Sequence, residues 1–312
     1  MEKRVSCEVK KAKVISFLNM KGGVGKTTLT INIGEKLAEK YKVLVIDMDP
    51  QFNATQSLLL YHSIKNEGKN LMADGEELVQ QEITSAKYYE QLSNQKKTIL
   101  QIFEDTNLVE LKEGRELDIE ITQNLFLVPG DLKLSKEIPG DNVGKAGVML
   151  DYLTEGRLLE KYDYILIDCP PTWSILTHTS LVASDYYVIP GKVDFYSSIG
   201  IQLLEEMIDK KVKNDSMYKR IGRELHRLGI IFTLVQKNIR AEEVRKNNLK
   251  SRHSNLNFFN SEFGYVPSLP NRVTMINEVK GNGNYTELVN SVDRITAELL
   301  QLIGKVEDEH EK

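Results

Sequence analysis

The stretch LNMKGGVGKTTLT, residues 18–30, constrains the fold of this chain more than any other segment. It places three glycines and two lysines between an apolar run, 14–18, and a run from residue 27 to 40 with apolar residues at helical spacing. A strand, a glycine-rich turn and a helix start, in that order, bring backbone N–H groups and the positive end of a helix dipole around one anion. The pattern therefore predicts a phosphate-binding loop.

Residue types within this loop have separate physical roles. The glycines let the backbone approach the phosphates and adopt dihedral angles that side chains would forbid. Lys26 is predicted to reach the β- and γ-phosphates, and the Thr27 hydroxyl to ligate Mg²⁺. A solvated glycine-rich turn is the alternative, which the flanking strand and helix disfavour. The predicted nucleotide-binding residues of this segment are Gly22, Gly23, Val24, Gly25, Lys26, Thr27 and Thr28.

Two further apolar runs end in carboxylates. YKVLVIDMDP, residues 41–50, ends in Asp47 and Asp49, which an extended chain directs to the same side. YDYILIDCPP, residues 162–171, ends in Asp168. The carboxyl ends of the strands in a doubly wound sheet are where ligands bind, so these acids are expected beside the phosphates. The alternative for Asp47 and Asp49 is that they cap the helix that follows.

The sequence motifs in these segments resemble those of one particular family. Met20 stands where an ordinary P-loop has its first glycine, and Lys21 adds a second lysine. KGGVGKT resembles the deviant Walker A box of the ParA/MinD superfamily, DMDPQFNAT resembles its switch I, and DCPP resembles its Walker B. The resemblance implies that Lys21 contacts the phosphates of a partner subunit across a nucleotide-sandwich dimer. It also implies that Asp47 and Asp168 support the magnesium shell with Thr27, and that Asp49 positions the attacking water.

Strands alternate with helical patterns over most of the chain, which predicts an α/β fold with a doubly wound, mostly parallel sheet and helices on both faces. Residues 1–305 are expected to form a single P-loop ATPase domain, followed by an acidic tail, 306–312. The polar, glutamate-rich segment 61–124 is predicted to be a helical insertion after switch I. The predicted strands are 14–18, 43–46, 125–128, 164–167, 186–189 and 229–235.

The charge of the chain is uneven. Residues 210–252 hold thirteen lysines and arginines against four acids, although the net charge of the chain is −4. A basic block on an acidic protein is the footprint expected of a nucleic-acid surface. A solvated basic face without a partner is the alternative. The residues predicted to bind DNA are Lys237, Arg240, Arg245, Lys246 and Lys250.

A looser resemblance covers the segment YVPSLPNRVTMINEVKGNG, residues 265–283. In family members this segment combines a contact to the nucleotide base after a proline with an arginine that contacts DNA. The resemblance implies these roles for Pro267 and Arg272.

Several protein classes are disfavoured by composition. The charged N-terminus is unlike a signal peptide, no apolar run approaches the length that spans a bilayer, and a cytoplasmic location is expected. The only two cysteines, Cys7 and Cys169, disfavour a disulfide framework and the iron–sulfur branch of the superfamily. About a dozen residues precede the first strand, so we expect neither an N-terminal helix-turn-helix domain nor sequence-specific autorepression.

Two observations favour the partition branch of the superfamily. A last helix over about 286–303 carries an apolar stripe typical of a core, and acids follow it where MinD-like proteins carry a basic membrane-docking helix. The resemblance then implies ATP and Mg²⁺ as cofactors, an ATP-dependent homodimer that binds DNA without sequence preference at the nucleoid, and slow hydrolysis stimulated by a ParB-type partner. Two alternatives stay open: an ATPase that positions another cargo, and a non-catalytic DNA-binding scaffold.

Overall fold

In the computed structural model, eight strands form one sheet within the described part of the chain. The structure describes residues 11–66, 76–104, 116–137, 145–194, 197–236, 239–265 and 275–310. The strands are β1 Lys13–Phe17, β2 Val43–Asp47, β3 Ile119–Thr122, β4 Leu125–Val128, β5 Tyr164–Asp168, β6 Tyr186–Lys192, β7 His226–Val235 and β8 Phe263–Gly264.

The strand order is β3-β4-β2-β5-β1-β6-β7-β8, and every neighbouring pair is parallel except β3 with β4. β5 lies between β1 and β2, with Asp168 in register with both Phe17 and Asp47. The chain reverses its winding direction around β1, so the carboxyl ends of β1, β2 and β5 meet at a topological switch point. The predicted doubly wound parallel sheet is confirmed.

Helices connect most of these strands. They are α1 Lys26–Ala38, α2 Asn53–Asn66, α3 Glu76–Asn94, α4 Leu134–Glu137, α5 Val148–Glu155, α6 Leu158–Lys161, α7 Ile175–Ala183, α8 Ser197–Ile208, α9 Ser216–Ile221, α10 Arg240–Arg252 and α11 Thr286–His310. α8 continues into a π-helical turn, Asp209–Lys213, and 3₁₀ turns occur at Ile99–Ile102, Ile276–Val279 and Gly283–Tyr285.

The two faces of the sheet carry separate apolar cores. Alternate residues of a strand point to opposite faces, so Ile15 belongs to the same core as Leu29 of α1 and Leu299 of α11, whereas Val14 belongs to the core that contains Leu153 of α5. The predicted helices on both faces are confirmed. Across the described residues, no helix combines the length and the apolar character that a bilayer span needs.

The segment 61–124 differs in part from the prediction. Its first helix, α2, begins earlier, at Asn53, and buries Leu58 and Leu59 in the core, so it is more than an appended element. α3 follows as predicted. The segment then ends in the strand β3, which the polar composition did not indicate. Residues 67–75 and 105–115 lie outside the described part of the chain.

The C-terminus also differs from the prediction. The stripe of Leu288, Val292, Ile295 and Leu299 is buried as expected. The helix does not end near residue 303 but continues to His310, through most of the segment assigned to an acidic tail. Its last turns are held to the sheet, because Lys13 of β1 forms an ion pair with Glu307.

Candidate phosphate-loop site

The loop between β1 and α1, residues 18–25, has the geometry of an anion cradle. Gly23 and Gly25 have positive φ angles, 67° and 77°, which residues with side chains rarely adopt. Gly25 is the N-cap of α1, so the first unpaired N–H groups of the helix face the end of the loop. A methyl group placed on Gly22 or Gly23 would meet no atom within 4 Å, so the space above the loop is open.

Asp168, at the carboxyl end of β5, binds the first two residues of α1, Lys26 and Thr27. One carboxylate oxygen accepts a hydrogen bond from Lys26 Nζ at 2.9 Å, and the other accepts one from Thr27 Oγ1 at 2.7 Å. Lys26 is only 6% exposed. Burial alone would lower the pKa of Lys26, but the charge and hydrogen bond of Asp168, together with the charge of Asp49, outweigh it, and the pKa is raised. The lysine is therefore held as a buried cation beside the loop.

Asp47 is held rigidly at the end of β2. Its Oδ2 accepts hydrogen bonds from the backbone N–H and hydroxyl of Thr55, at 2.8 and 2.7 Å. The Thr55 hydroxyl in turn accepts from the Gly130 N–H at 2.8 Å, so the segment that follows β4 helps to position Thr55. Burial, and then the charge of Asp168, raise the pKa of Asp47 to about 7.

Asp49 lies two residues further on and is more accessible to a bound ligand. Its Oδ1 accepts a hydrogen bond from the Gln51 N–H at 3.0 Å, and its charge acts on Lys26. Burial raises its pKa as well. The Lys26 ammonium therefore interacts with Asp168 and Asp49, and Asp47 adds a third carboxyl group beside Asp168. Hard carboxylate and hydroxyl oxygens are the donors that Mg²⁺ prefers, so the donor set fits this ion.

Lys21 differs from Lys26 in its surroundings. It lies on the outer side of the loop with its side chain 45% exposed, and it forms an ion pair with Asp194, which follows β6. Its backbone N–H is fixed by the side chain of Asn19, which also donates to Pro190 O. The second lysine is thus presented at the surface and does not point into its own phosphate cradle.

Two residues of the site were not singled out by the sequence. Thr55, which holds Asp47, could have been inferred from the last position of the DMDPQFNAT motif. Thr233 of β7 had no such signal: its buried hydroxyl donates to Val24 O of the loop at 2.6 Å. Leu234, the next residue, has a positive φ of 53°. Its side chain lies close to Gly25: a Cβ atom built on this glycine would be 3.6 Å from Leu234 Cγ. The end of β7 therefore touches the phosphate loop.

The predicted DNA-binding residues have different environments. Arg240, Arg245 and Lys250 are exposed on α10. Lys246 is not: it is 6% exposed and forms ion pairs with Glu262 at 2.8 Å and with Glu243. The prediction for Lys246 is corrected, because this lysine fastens α10 to the segment before β8. Lys237, Pro267 and Arg272 lie outside the described residues.

Two other arginines of the basic block are also used internally. Arg223 pairs with Asp185 at 2.6 Å, and Arg227 pairs with Glu205 at 2.6 Å. Both lie at or before the amino-terminal end of β7, whereas α10 follows its carboxyl-terminal end. The local excess of positive charge therefore does not form one continuous surface.

The switch-point location, the glycine cradle at a helix N-terminus and the lysine–aspartate–threonine cluster define a class. The chain is a P-loop nucleotide-binding protein with a doubly wound α/β fold.

Comparison with known proteins narrows this class. The AAA domain family matches residues 12–220. An uncharacterised protein of Methanocaldococcus jannaschii is 32% identical over 78% of this chain and 81% of its own length. The sporulation initiation inhibitor protein Soj of Bacillus subtilis is 31% identical over 67% of this chain and 71% of its own length. A plasmid partition protein of Borrelia burgdorferi, 23% identical, shares the fold with a TM-score of 0.64 over 94% of this chain and 99% of its own.

The chain belongs to the ParA/MinD-type family of P-loop ATPases. ATP and Mg²⁺ are the cofactors of such an enzyme, and the glycine cradle and the three carboxylates fit both.

Proposed function

We propose that this chain is an ATP-dependent DNA partition ATPase. An ATP-bound dimer would bind DNA without sequence preference, and hydrolysis, stimulated by a ParB-type protein bound to a centromere, would release it. The observation that carries the proposal is the contrast between the environments of Lys21, in the loop, and Lys26, at the start of α1. Lys26 is buried and bound to Asp168, whereas Lys21 is exposed at the surface, where a second subunit would dock.

The chain's own residues account for slow hydrolysis in this proposal. Lys26 supplies a fixed positive charge beside the loop, and the N–H groups at the start of α1 bind phosphate oxygens. Asp47 is held by Thr55, so it orients the magnesium shell together with Thr27 and Asp168. Mg²⁺, when bound, supplies Lewis-acid neutralisation of the phosphate charge. Asp49 positions a water and accepts its proton, which is typical of a general base.

Lys21 would give the dimer its dependence on ATP. A lysine that contacts the partner's phosphates strengthens association only when those phosphates are present. Dimerisation therefore depends on which nucleotide is bound. In the single chain Lys21 is held by Asp194, so dimerisation exchanges one carboxylate partner for a phosphate partner. The exchange keeps the ammonium paired throughout.

The path from the loop to the DNA surface runs through β7. Thr233 donates to the loop carbonyl of Val24, Leu234 packs on Gly25, and α10 begins at Arg240, a few residues after β7 ends. A change in the loop on binding ATP therefore acts directly on the strand that precedes α10. Arg240, Arg245 and Lys250 would contact phosphates of DNA, together with Lys237 and Arg272.

Dimerisation would raise the affinity for DNA of a surface that has few basic contacts on each subunit. Each neutralised DNA phosphate releases counterions, so doubling the number of basic contacts multiplies the affinity. An ATP-bound dimer would then be held at the nucleoid in the cytoplasm, and a monomer would leave it. Pro267 is proposed to lie near the nucleotide base.

One experiment tests the proposal as a whole. The ATPase rate is measured alone, with DNA of unrelated sequences, and with DNA plus the product of the neighbouring gene, which a partition system predicts to be a DNA-binding protein. A partition ATPase is expected to turn over slowly alone and to be stimulated when both are present. Hydrolysis that never occurs, with ATP and DNA still bound, would favour the non-catalytic scaffold. Hydrolysis that ignores DNA and the neighbouring protein would favour an ATPase for another cargo.

A further inference from the structure

Three metal-ligating side chains meet far from the phosphate loop. Glu224 lies in the turn after α9, His226 is the first residue of β7, and His310 is the last residue of α11. Because β7 is parallel to β1, this cluster lies at the amino-terminal edge of the sheet, opposite to the phosphate loop. Two of the five histidines of the chain are brought together here from positions 84 residues apart.

The distances are close to those of a metal site. His226 Nε2 lies 3.5 Å from Glu224 Oε2, and His310 Nε2 lies 3.6 Å from the same oxygen. All three candidate ligand atoms lie within 4.8 Å of one another. Bonds of about 2.0–2.1 Å in a tetrahedral arrangement place ligand atoms roughly 3.3 Å apart. Two of the separations therefore need to change by only a few tenths of an ångström.

The side chains have the freedom to close the remaining gap. Glu224 is 69% exposed and His310 is 53% exposed, and both can rotate without disturbing a core. His226 is better fixed, with its side chain 28% exposed and its ring 4.7 Å from that of His310. One anchored ligand and two adjustable ones is an arrangement that a metal ion can draw together.

We propose that Glu224, His226 and His310 form a binding site for a divalent transition-metal ion of the Zn²⁺ or Ni²⁺ type. Two imidazoles and one carboxylate suit these ions, whereas Mg²⁺ prefers an all-oxygen shell. The site is therefore separate in place and in chemistry from the magnesium of the nucleotide.

The bound ion would link the end of the C-terminal helix α11 to the sheet. α11 packs along α1, where Lys36 pairs with Asp293 at 2.8 Å, and its last turns are held by the ion pair of Lys13 and Glu307. A metal between His310 and His226 would fasten the same end to β7. Three protein ligands leave a coordination position for water, so the ion would exchange with solvent.

The test is a metal titration of the full chain without a histidine tag, which would itself bind metal. Zn²⁺ is titrated calorimetrically in excess Mg²⁺ into the parent, into His226→Ala and His310→Ala, and into the control His253→Ala, whose histidine follows α10. We expect one Zn²⁺ per parent chain, the same in the control, and an affinity at least about tenfold weaker in the two cluster variants. Zn²⁺ should also raise the melting temperature of parent and control only.

Two further measurements keep the outcome clear. Co²⁺ bound to the parent should give a visible absorption spectrum of nitrogen and oxygen ligands that His310→Ala loses. ADP binding shows that each variant is folded, and it does not depend on this site. Equal Zn²⁺ affinity in parent and cluster variants, or no stoichiometric binding to the parent, would overturn the proposal.

Discussion

The phosphate-loop edge of the sheet and helix α10 both carry many charges, but they hold them in opposite ways. At the loop, Lys26 is buried against Asp168, and Asp47 is buried against Thr55. On α10, Arg240 and Arg245 extend into solvent. Charges at the loop are preorganised for one ligand, whereas those on α10 suit any polyanion that approaches.

The contrast determines how each region should respond to substitution. Removing one member of a buried charged pair leaves its partner uncompensated, which is costly. Removing an exposed charge costs little in stability and acts mainly through salt-dependent binding. The effects predicted below should therefore fall from the loop to the helix.

The largest effect is expected at Lys26. Lys26→Ala removes the buried ammonium that pairs with Asp168 and interacts with Asp49, and we expect ATP affinity to fall by about 100-fold or more. Calorimetric or fluorescent-nucleotide titration measures this. Lys36→Ala on the same helix is the matched control, because the ion pairs that Lys36 forms, with Glu39 and Asp293, lie at the surface. ATP affinity near that of the parent in Lys26→Ala would show that the loop is not a phosphate site.

Asp49 should separate hydrolysis from binding. Asp49→Ala is expected to lower the turnover number by roughly 10²- to 10⁴-fold, the usual contribution of a general base, with ATP affinity retained. The variant should accumulate as an ATP-bound dimer on DNA, which single-turnover kinetics and sedimentation measure. If ATP affinity is lost instead, Asp49 belongs to the magnesium shell, and Asp47 becomes the candidate for the water.

Lys21 tests whether an exposed charge of the loop behaves like α10 or like Lys26. We expect Lys21→Ala to bind ADP almost as the parent does but to dimerise at least about tenfold more weakly with ATP, since one charge-assisted hydrogen bond per subunit is lost. Sedimentation in an Asp49→Ala background keeps ATP intact during the measurement. Unchanged dimerisation would remove the proposed role across the interface.

The basic residues of α10 allow a comparison within one helix. Arg240→Ala with Arg245→Ala should weaken DNA binding and lower the slope of log affinity against log salt by about 0.9 per lost contact, without changing the melting temperature. Lys246→Ala should leave the slope unchanged and lower the melting temperature by roughly 2–4 °C, because its ion pairs with Glu262 and Glu243 are lost. The reverse pattern would contradict the assignment of both surfaces.

The same contrast explains what the sequence could predict. The positions of Lys26, Asp47 and Asp168 follow from local rules: a glycine turn before a helix, and an acid at the end of an apolar strand. These rules survive folding because a parallel sheet brings the strand ends together. The six predicted strands were found for the same reason, although β7 begins at His226 and not at residue 229.

Local sequence patterns could not predict contacts between residues that are distant in the sequence. Lys246 and Arg245 are adjacent and carry the same charge, yet it is Lys246 that pairs with Glu262, sixteen residues away. Likewise β3 and β8 are too short and too polar in context for periodicity to reveal them. The bond from Thr233 to Val24 joins residues 209 positions apart, and no motif marks it.

That bond is where the two regions meet, and it carries the smallest predicted effect. Thr233→Val keeps the shape of the side chain but removes the hydroxyl that donates to Val24 O. A single hydrogen bond contributes about 0.5–1.5 kcal/mol, so we expect the ratio of DNA affinity with ATP to that with ADP to fall by roughly two- to tenfold. ATP affinity itself should change less, because the phosphate ligands are intact. Thr296→Val is the matched control, since Thr296 is also buried but its hydroxyl has no hydrogen-bond partner among the described residues.

DNA binding is measured with ATP, with ADP and without nucleotide for both variants and the parent. An unchanged ratio in Thr233→Val would show that the phosphate loop and α10 communicate by another route, and a fall of equal size in Thr296→Val would mean that the loss reflects altered packing and not this bond.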